Sequence, residues 1–147
     1  MLVGTNPLSL DAKGRVAIPA RYRDELVPDG AQLVVTAHPH GCLLVYSFAA
    51  WQPIYESLVK IPSLDPRAAL LKRLFIGHAQ VEQLDSAGRV LLGVALREWA
   101  ALEKQVMMVG QGTHCELWSE HRWATKRVEM SALESSDYPA SFTGLAL

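Results

Sequence analysis

The chain contains no uninterrupted apolar run near the roughly 18 residues of a membrane-spanning helix, and its opening, MLVGTNPLSLDAKGR, lacks a basic leader followed by an apolar stretch. A cytoplasmic protein is therefore expected, with no membrane partner. Cysteine is scarce: Cys42 and Cys115 are the only two, they fall near equivalent places in the two halves of the chain, and no C-x-x-C pair exists. That favours a packing role over a disulfide or a zinc ribbon. No surplus of charge of either sign is present, since 14 basic residues face 15 acidic ones for a net charge of -1, so the overall balance gives no support to nucleic-acid binding. The distribution adds something. Residues 10 to 23 hold Lys13, Arg15, Arg21 and Arg23 against Asp11 alone, whereas residues 98 to 147 hold seven acids against four bases. Charge is segregated along the chain.

Signatures of catalysis are missing too. There is no G-x-S-x-G elbow and no glycine loop able to cradle a phosphate. Ser9 with His78 and Asp85, or Cys115 with His114, can be named as nucleophile and base, but nothing in their spacing singles them out. No enzyme is expected and no small-molecule substrate. His38, His40 and Cys42 alternate, and His114 and Cys115 lie in the second half, as a zinc site would need. Pro39 and Gly41 make that segment a turn instead, and Gln111 and Thr113 stand where the first half has its two histidines. The expectation is no metal and no cofactor. Trp51, Trp99, Trp118 and Trp123 fall on apolar faces of expected elements, where core packing explains them better than base stacking.

What the chain does have is an internal repeat. The stretch DAKGRVAIPARYRDEL from Asp11 returns as DSAGRVLLGVALREWA from Asp85, an offset of 74 that superposes Asp11, Gly14, Arg15, Val16 and Arg23 on Asp85, Gly88, Arg89, Val90 and Arg97. Each D-x-x-G-R core has the form of a three-residue hairpin loop, Ala12-Lys13-Gly14 or Ser86-Ala87-Gly88, ending in a glycine at positive φ. The Asp can accept backbone N–H groups of the turn and meet the Arg that starts the return strand. Strands are expected over residues 7 to 10 and 15 to 18, then a short helix from Pro19 to about Leu26, then strands 32 to 37 and 42 to 46. Ser47 caps a helix carrying Trp51, Ile54, Tyr55 and Leu58, in which Pro53 is tolerable only in the first turn. Asp65-Pro66 opens a second connector helix whose stripe is Leu70, Leu71, Leu74 and Phe75. The scheme then recurs, giving repeat 1 over 5–50, a helical connector over 51–77, repeat 2 over 79–124, and a helix end with a mobile tail over 125–147. A half of about 60 residues buries too little surface to be stable alone, so the halves should share a core.

Two readings of the repeated Asp and Arg stay open. One is a surface turn with an ion pair worth ~0–1 kcal/mol. The other is recognition: a turn has no use for an Arg in both copies, and a guanidinium held by a carboxylate suits phosphate or the N7 and O6 of guanine.

The run from Asp11 to Arg23, D-x-x-G-R-V-x-I-P-x-x-x-R, resembles the swapped-hairpin, looped-hinge motif of AbrB, SpoVT and MazE-type DNA binders. Two copies joined by helices, with DPRAALLKRLFIGHA before the second, resemble the MraZ family of transcriptional regulators over nearly the whole chain. The resemblance implies an α+β fold in which two tandem SpoVT-AbrB-like modules interleave into a small β-barrel flanked by helices. It also implies a ring homo-oligomer that binds direct repeats in double-stranded promoter DNA of the division and cell-wall gene cluster, in the cytoplasm at the nucleoid. Carried onto this sequence, Arg15 and Arg89 are the DNA-contacting arginines, with Asp11, Gly14, Asp85 and Gly88 building and orienting them. Lys13 is assigned to phosphate, and Arg21 and Arg23 flank the same surface, with packing or helix salt bridges as the equal alternative. Repeat 2 departs in having Leu92-Gly93 where repeat 1 has Ile18-Pro19. A ring would also compensate for a near-neutral subunit by multiplying weak contacts. The alternative class is an interaction module of antidote type that uses the C-terminal tail, and an enzyme comes third.

Overall fold

A computed structural model describes all 147 residues. Repeat 1 contributes β1 (Thr5–Ser9), β2 (Arg15–Ala17), α1 (Ala20–Leu26), β3 (Leu33–Ala37) and β4 (Leu43–Ser47). The connector is α2 (Phe48–Val59) and α3 (Pro66–Phe75). Repeat 2 contributes β5 (Gln80–Glu82), β6 (Arg89–Leu91), α4 (Val94–Trp99), β7 (Gln105–Gly110) and β8 (Cys115–Ser119), and α5 (Glu120–Ser131) follows. Local chemistry sets the helix starts. The hydroxyls of Ser47 and Ser119 accept the amide N–H groups of Ala50 and Arg122 at 3.1 Å, and the Asp65 carboxylate accepts that of Arg67 at 2.8 Å.

The halves are interleaved. Six strands form one antiparallel sheet in the order β1-β7-β8-β4-β3-β5, so the first strand of each repeat pairs with the third strand of the other. The remaining two, β2 and β6, pair only with each other, with Val16 opposite Val90. Exchanging the repeats reverses the strand order onto itself, an approximate two-fold axis running between β4 and β8. Period-two alternation places Leu33, Val35, Leu43, Val45, Met108 and Leu117 on one face of the large sheet. There they meet Val16, Ile18, Val90 and Leu92 of the ribbon and Tyr22, Leu26 and Leu96 of the short helices, all in one buried cluster. Neither repeat closes this core by itself. The other face of the sheet carries α2, α3 and α5.

Several expectations change. Hydrogen bonding does not close the sheet into the barrel implied by the resemblance: β1 and β5 remain its edges, because β2 and β6 turn to each other to make a separate ribbon. The D-x-x-G-R loops turn the chain as expected, but the strands they join separate at once into different sheets. Pro53 lies in the second turn of α2, where its ring removes one interior backbone donor. The two cysteines are both free and buried but not equivalent: Cys115 lies in the shared core and Cys42 in a small outer cluster with Val109 and Trp118. Burial pushes both thiols up to about 12. After α5 the chain makes two short 3₁₀ turns, Ser135–Asp137 and Ala140–Phe142, and every residue from Ser135 to Leu147 is exposed.

Candidate nucleic-acid interface

Each D-x-x-G-R loop is closed in the same way. The Asp11 amide donates to the Arg15 carbonyl at 2.9 Å and Gly14 N–H donates back to the Asp11 carbonyl at 3.0 Å; Asp85, Arg89 and Gly88 repeat this at 2.9 Å and 2.9 Å. The carboxylate does the rest. Asp11 Oδ1 accepts the backbone N–H groups of Lys13 and Arg15, both at 2.9 Å, and Oδ2 accepts Arg15 Nε–H at 2.8 Å. In the second loop Asp85 takes Ala87, Arg89 and Arg89 Nε, each at 2.9 Å. One oxygen shapes the loop and the other fixes the arginine. Backbone donation from Arg15 and Arg89 is the leading cause holding Asp11 and Asp85 below the usual carboxylate range.

Only the Nε of each guanidinium is consumed, so the outer nitrogens of Arg15 and Arg89 make no hydrogen bond within the chain. The ribbon brings the two loops together. Gly14 and Gly88 carbonyls accept the amides of Leu92 and Ile18 from the opposite repeat at 2.8 Å and 2.9 Å. Arg89 Nη1 lies 3.9 Å from Asp11 Oδ2, the oxygen that already holds Arg15. Two partly exposed arginines thus share one edge of the molecule, Arg15 with both outer nitrogens unpaired and Arg89 with only the long 3.9 Å ion pair from Nη1 to Asp11. Lys13 extends from the first loop with no partner, and the second loop has Ala87 in its place.

The other two cations expected at this surface have different surroundings. Arg23 donates its Nε–H to the Ile18 carbonyl at 2.8 Å, and its guanidinium lies against Gly88 of the other repeat's loop. Arg97 does the same in reverse, donating to the Leu92 carbonyl at 3.1 Å and lying against Gly14. Sequence reasoning left Arg97 out of the site, although the offset of 74 that pairs it with Arg23 carries the signal. Each turn glycine, at φ 85° for Gly14 and 75° for Gly88, therefore also makes room for a guanidinium from across the axis. Arg21 turns away from the loops toward the start of β1, bonding Asn6 and stacking over Tyr22 at 5.0 Å. The Leu92-Gly93 departure leaves the second loop unchanged. Gly93 supplies an N–H to Gln80 Oε1 at 2.9 Å that a proline could not, and a Cβ there would collide with the Gln80 side chain.

The residues weighed for zinc are not assembled. His38 and His40 meet edge-on with centroids 4.5 Å apart, His114 stacks on Tyr46 at 4.6 Å, and no three His, Cys, Asp or Glu side chains are grouped to hold a metal ion. No helix is long and apolar enough to cross a membrane.

A family model described as "MraZ protein, putative antitoxin-like" matches the chain twice, over residues 1–74 and 75–143. The chain belongs to the MraZ family. Proteins named transcriptional regulator MraZ from Aromatoleum aromaticum, an Azoarcus species and Dechloromonas aromatica are 58%, 53% and 51% identical to it, each over the full length of both chains. With tandem MraZ domains and full-length likeness to these regulators, the chain is classed with transcriptional regulators and not with enzymes. The junction of the two matched domains falls at the end of α3, so the connector helices belong to the first MraZ domain and the pairing of β1 with β7 and β3 with β5 ties the two together.

Proposed function

We propose that this chain is a sequence-specific DNA-binding regulator that applies the paired D-x-x-G-R loops to double-stranded promoter DNA. The observation that carries the reading is the pair of aspartate-held arginines, Arg15 and Arg89, presented side by side with no hydrogen bond at their outer nitrogens. A guanidinium fixed in this way can reach a guanine edge or a phosphate with less rotamer freedom to lose, which is what base discrimination requires. Lys13 adds a phosphate contact at the first loop. Arg23 and Arg97 set the spacing of the loops by bracing the opposite glycine, and Arg21 stands outside the contact surface. The operator in this reading is a set of direct repeats upstream of the cell-wall and division genes, bound in the cytoplasm at the nucleoid by a ring of copies. Repetition suits the charge: a subunit of net charge -1 neutralises few phosphates, and several loops on successive repeats gain through effective concentration.

The test is binding to the DNA upstream of its own gene across a salt series, with Arg15→Ala, Arg89→Ala and the double variant. Loss of one contact per subunit is worth ~1–3 kcal/mol, so the double variant in a multivalent assembly should lose more than tenfold in affinity while keeping the parent's assembly. Unchanged affinity and salt slope in the double variant would make the loops structural only.

A further inference from the structure

The ribbon that carries the two arginines has an outer face of four side chains. Val16 and Val90 pair across it and are fully buried, so alternation turns the residues on either side of them away from the core: Arg15 and Ala17 on β2, Arg89 and Leu91 on β6. In the register Arg15 stands opposite Leu91, and Arg89 opposite Ala17. The arginines therefore occupy one diagonal of this face and the apolar side chains the other. Ala17 is exposed, and Leu91 is 48% exposed. An isolated surface leucine needs no explanation, but the position of this one does. The fold does not require it, because the equivalent place in the same ribbon, at the offset of 74, is filled by Ala17. Nor does it complete the core, which Val90 and Leu92 close beneath it. It does cover part of its cross-strand neighbour: the Arg15 side chain is 28% exposed, whereas that of Arg89, opposite alanine, is 36% exposed. What remains unaccounted for is an apolar side chain facing outward directly beside an aspartate-held guanidinium.

A two-stranded ribbon is narrow enough to enter the major groove, and the apolar group that a base pair presents there is the 5-methyl of thymine. We propose that Leu91 packs on that methyl, so that the ribbon selects a thymine beside the guanine or phosphate taken by Arg15. The inference rests on the reading of the loops as a DNA-binding surface, and it adds a base that neither arginine can select. Cross-strand neighbours stand ~5 Å apart and stacked base pairs ~3.4 Å, so the thymine falls within about two base-pair steps of the Arg15 contact. Ala17 stops at Cβ, short of the leucine methyls, so the contact is made from the repeat-2 strand and the two ends of the ribbon differ in what they select.

Uracil lacks only the 5-methyl of thymine and pairs in the same way, so the DNA upstream of the protein's own gene is prepared twice, with thymine or with deoxyuridine throughout, and each duplex is titrated with the full-length protein. One methyl packed on a leucine is worth about fourfold in affinity, and the parent should prefer the thymine duplex by at least about that factor. This first comparison needs no variant. Leu91→Ala, which installs the residue that repeat 1 already carries, should bind the thymine duplex more weakly than the parent and bind the two duplexes about equally. Leu91→Met keeps an apolar side chain of similar reach and should keep the preference. Far-UV circular dichroism shows that each variant is folded. Equal affinity of the parent for the two duplexes overturns the contact. So does a Leu91→Ala variant that weakens on both duplexes alike and keeps the parent's preference, since the leucine would then act only by packing on Arg15. Unchanged binding of the thymine duplex by Arg15→Ala/Arg89→Ala removes the DNA-binding reading itself. Loss of binding in that variant, together with equal parent affinity for the two duplexes, removes the thymine contact alone.

Discussion

Replacing Gly88 by alanine perturbs the loops in two separable ways, and the structure contains its own control. Gly30 sits at φ 73° with nothing within 4 Å of where an alanine methyl would stand, so Gly30→Ala meets only the left-handed backbone. That penalty is ~1–2 kcal/mol, reduced by ~0.4–1 kcal/mol because alanine restricts the unfolded chain. Gly88 has nearly the same φ of 75°, but its methyl would lie 2.4 Å from Arg23 Cζ. The guanidinium must move, and with it goes the Nε–H bond to the Ile18 carbonyl, a charged donor's bond worth ~1.5–3 kcal/mol. Gly88→Ala should therefore destabilise by roughly 2–4 kcal/mol and Gly30→Ala by about 1 kcal/mol. Gly14→Ala should fall between them, since its methyl meets Arg97 at 3.0 Å, a contact that a small shift relieves. Urea unfolding of the three variants measures the order. Repeating Gly88→Ala in an Arg23→Ala background should abolish its excess over Gly30→Ala, because the clashing group is gone. Equal losses for Gly88→Ala and Gly30→Ala, or an excess that survives without Arg23, would refute the claim that Arg23 braces the opposite loop.

Lys13→Ala should weaken DNA binding uniformly across sequences and lower the slope of log affinity against log salt by about 0.9 per engaged subunit, leaving discrimination intact; a change in sequence preference at constant salt slope would contradict a phosphate contact. The acid response follows from Asp11 and Asp85, whose folded pKa values are lowered chiefly by the backbone N–H groups of Arg15 and Arg89. Their contribution is complete above the ordinary carboxylate value of about 3.9 and disappears as pH falls through the lower folded value. Between pH 4 and pH 2.5 the urea midpoint of the parent should accordingly drop more than that of Asp11→Asn/Asp85→Asn, and parallel midpoints would show that the carboxylates are not coupled to folding.

Much of this architecture was legible because it is written locally. Turn loops and the helix caps at Ser47, Asp65 and Ser119 depend on residues within four positions of one another, and the structure places them where the pattern did. Strand exchange was not written locally. Alternation in TNPLS or LVVTA tells which face is buried but not which neighbour completes the sheet, so a loop with hairpin chemistry gave strands that part company. The closed barrel failed for the same reason, as nothing in RVA or RVL distinguishes pairing with β1 or β5 from pairing with each other. In the candidate site, Asp11 and Arg15 could be read as a pair from their spacing, but the second duty of Gly14 and Gly88 could not. It depends on Arg97 and Arg23 arriving from the opposite repeat, more than 60 residues away in sequence.

The departures from symmetry bear on what such a molecule can read. Two identical loops related by a two-fold axis would present the same groups in both directions along a duplex and so would favour palindromic sites, as symmetric dimers do. Here the backbone of the two loops is matched bond for bond, but the side chains are not: Lys13 faces Ala87 across the axis, and Pro19 faces Gly93. On the opposite face the asymmetry is larger: α3 packs on repeat 1 through the Thr36 bond to the Phe75 carbonyl, whereas the segment that follows α5 is exposed from Ser135 onward. Fusion of the two modules in one chain is what permits both differences, since a homodimer of single modules would be forced to carry each change twice. A reading head whose two sides differ has a direction, and in the proposed ring a series of such heads in one orientation is complementary to direct repeats and not to inverted ones. In the proposed reading, the one extra charge of Lys13 on the first loop gives the edge the direction that direct repeats require.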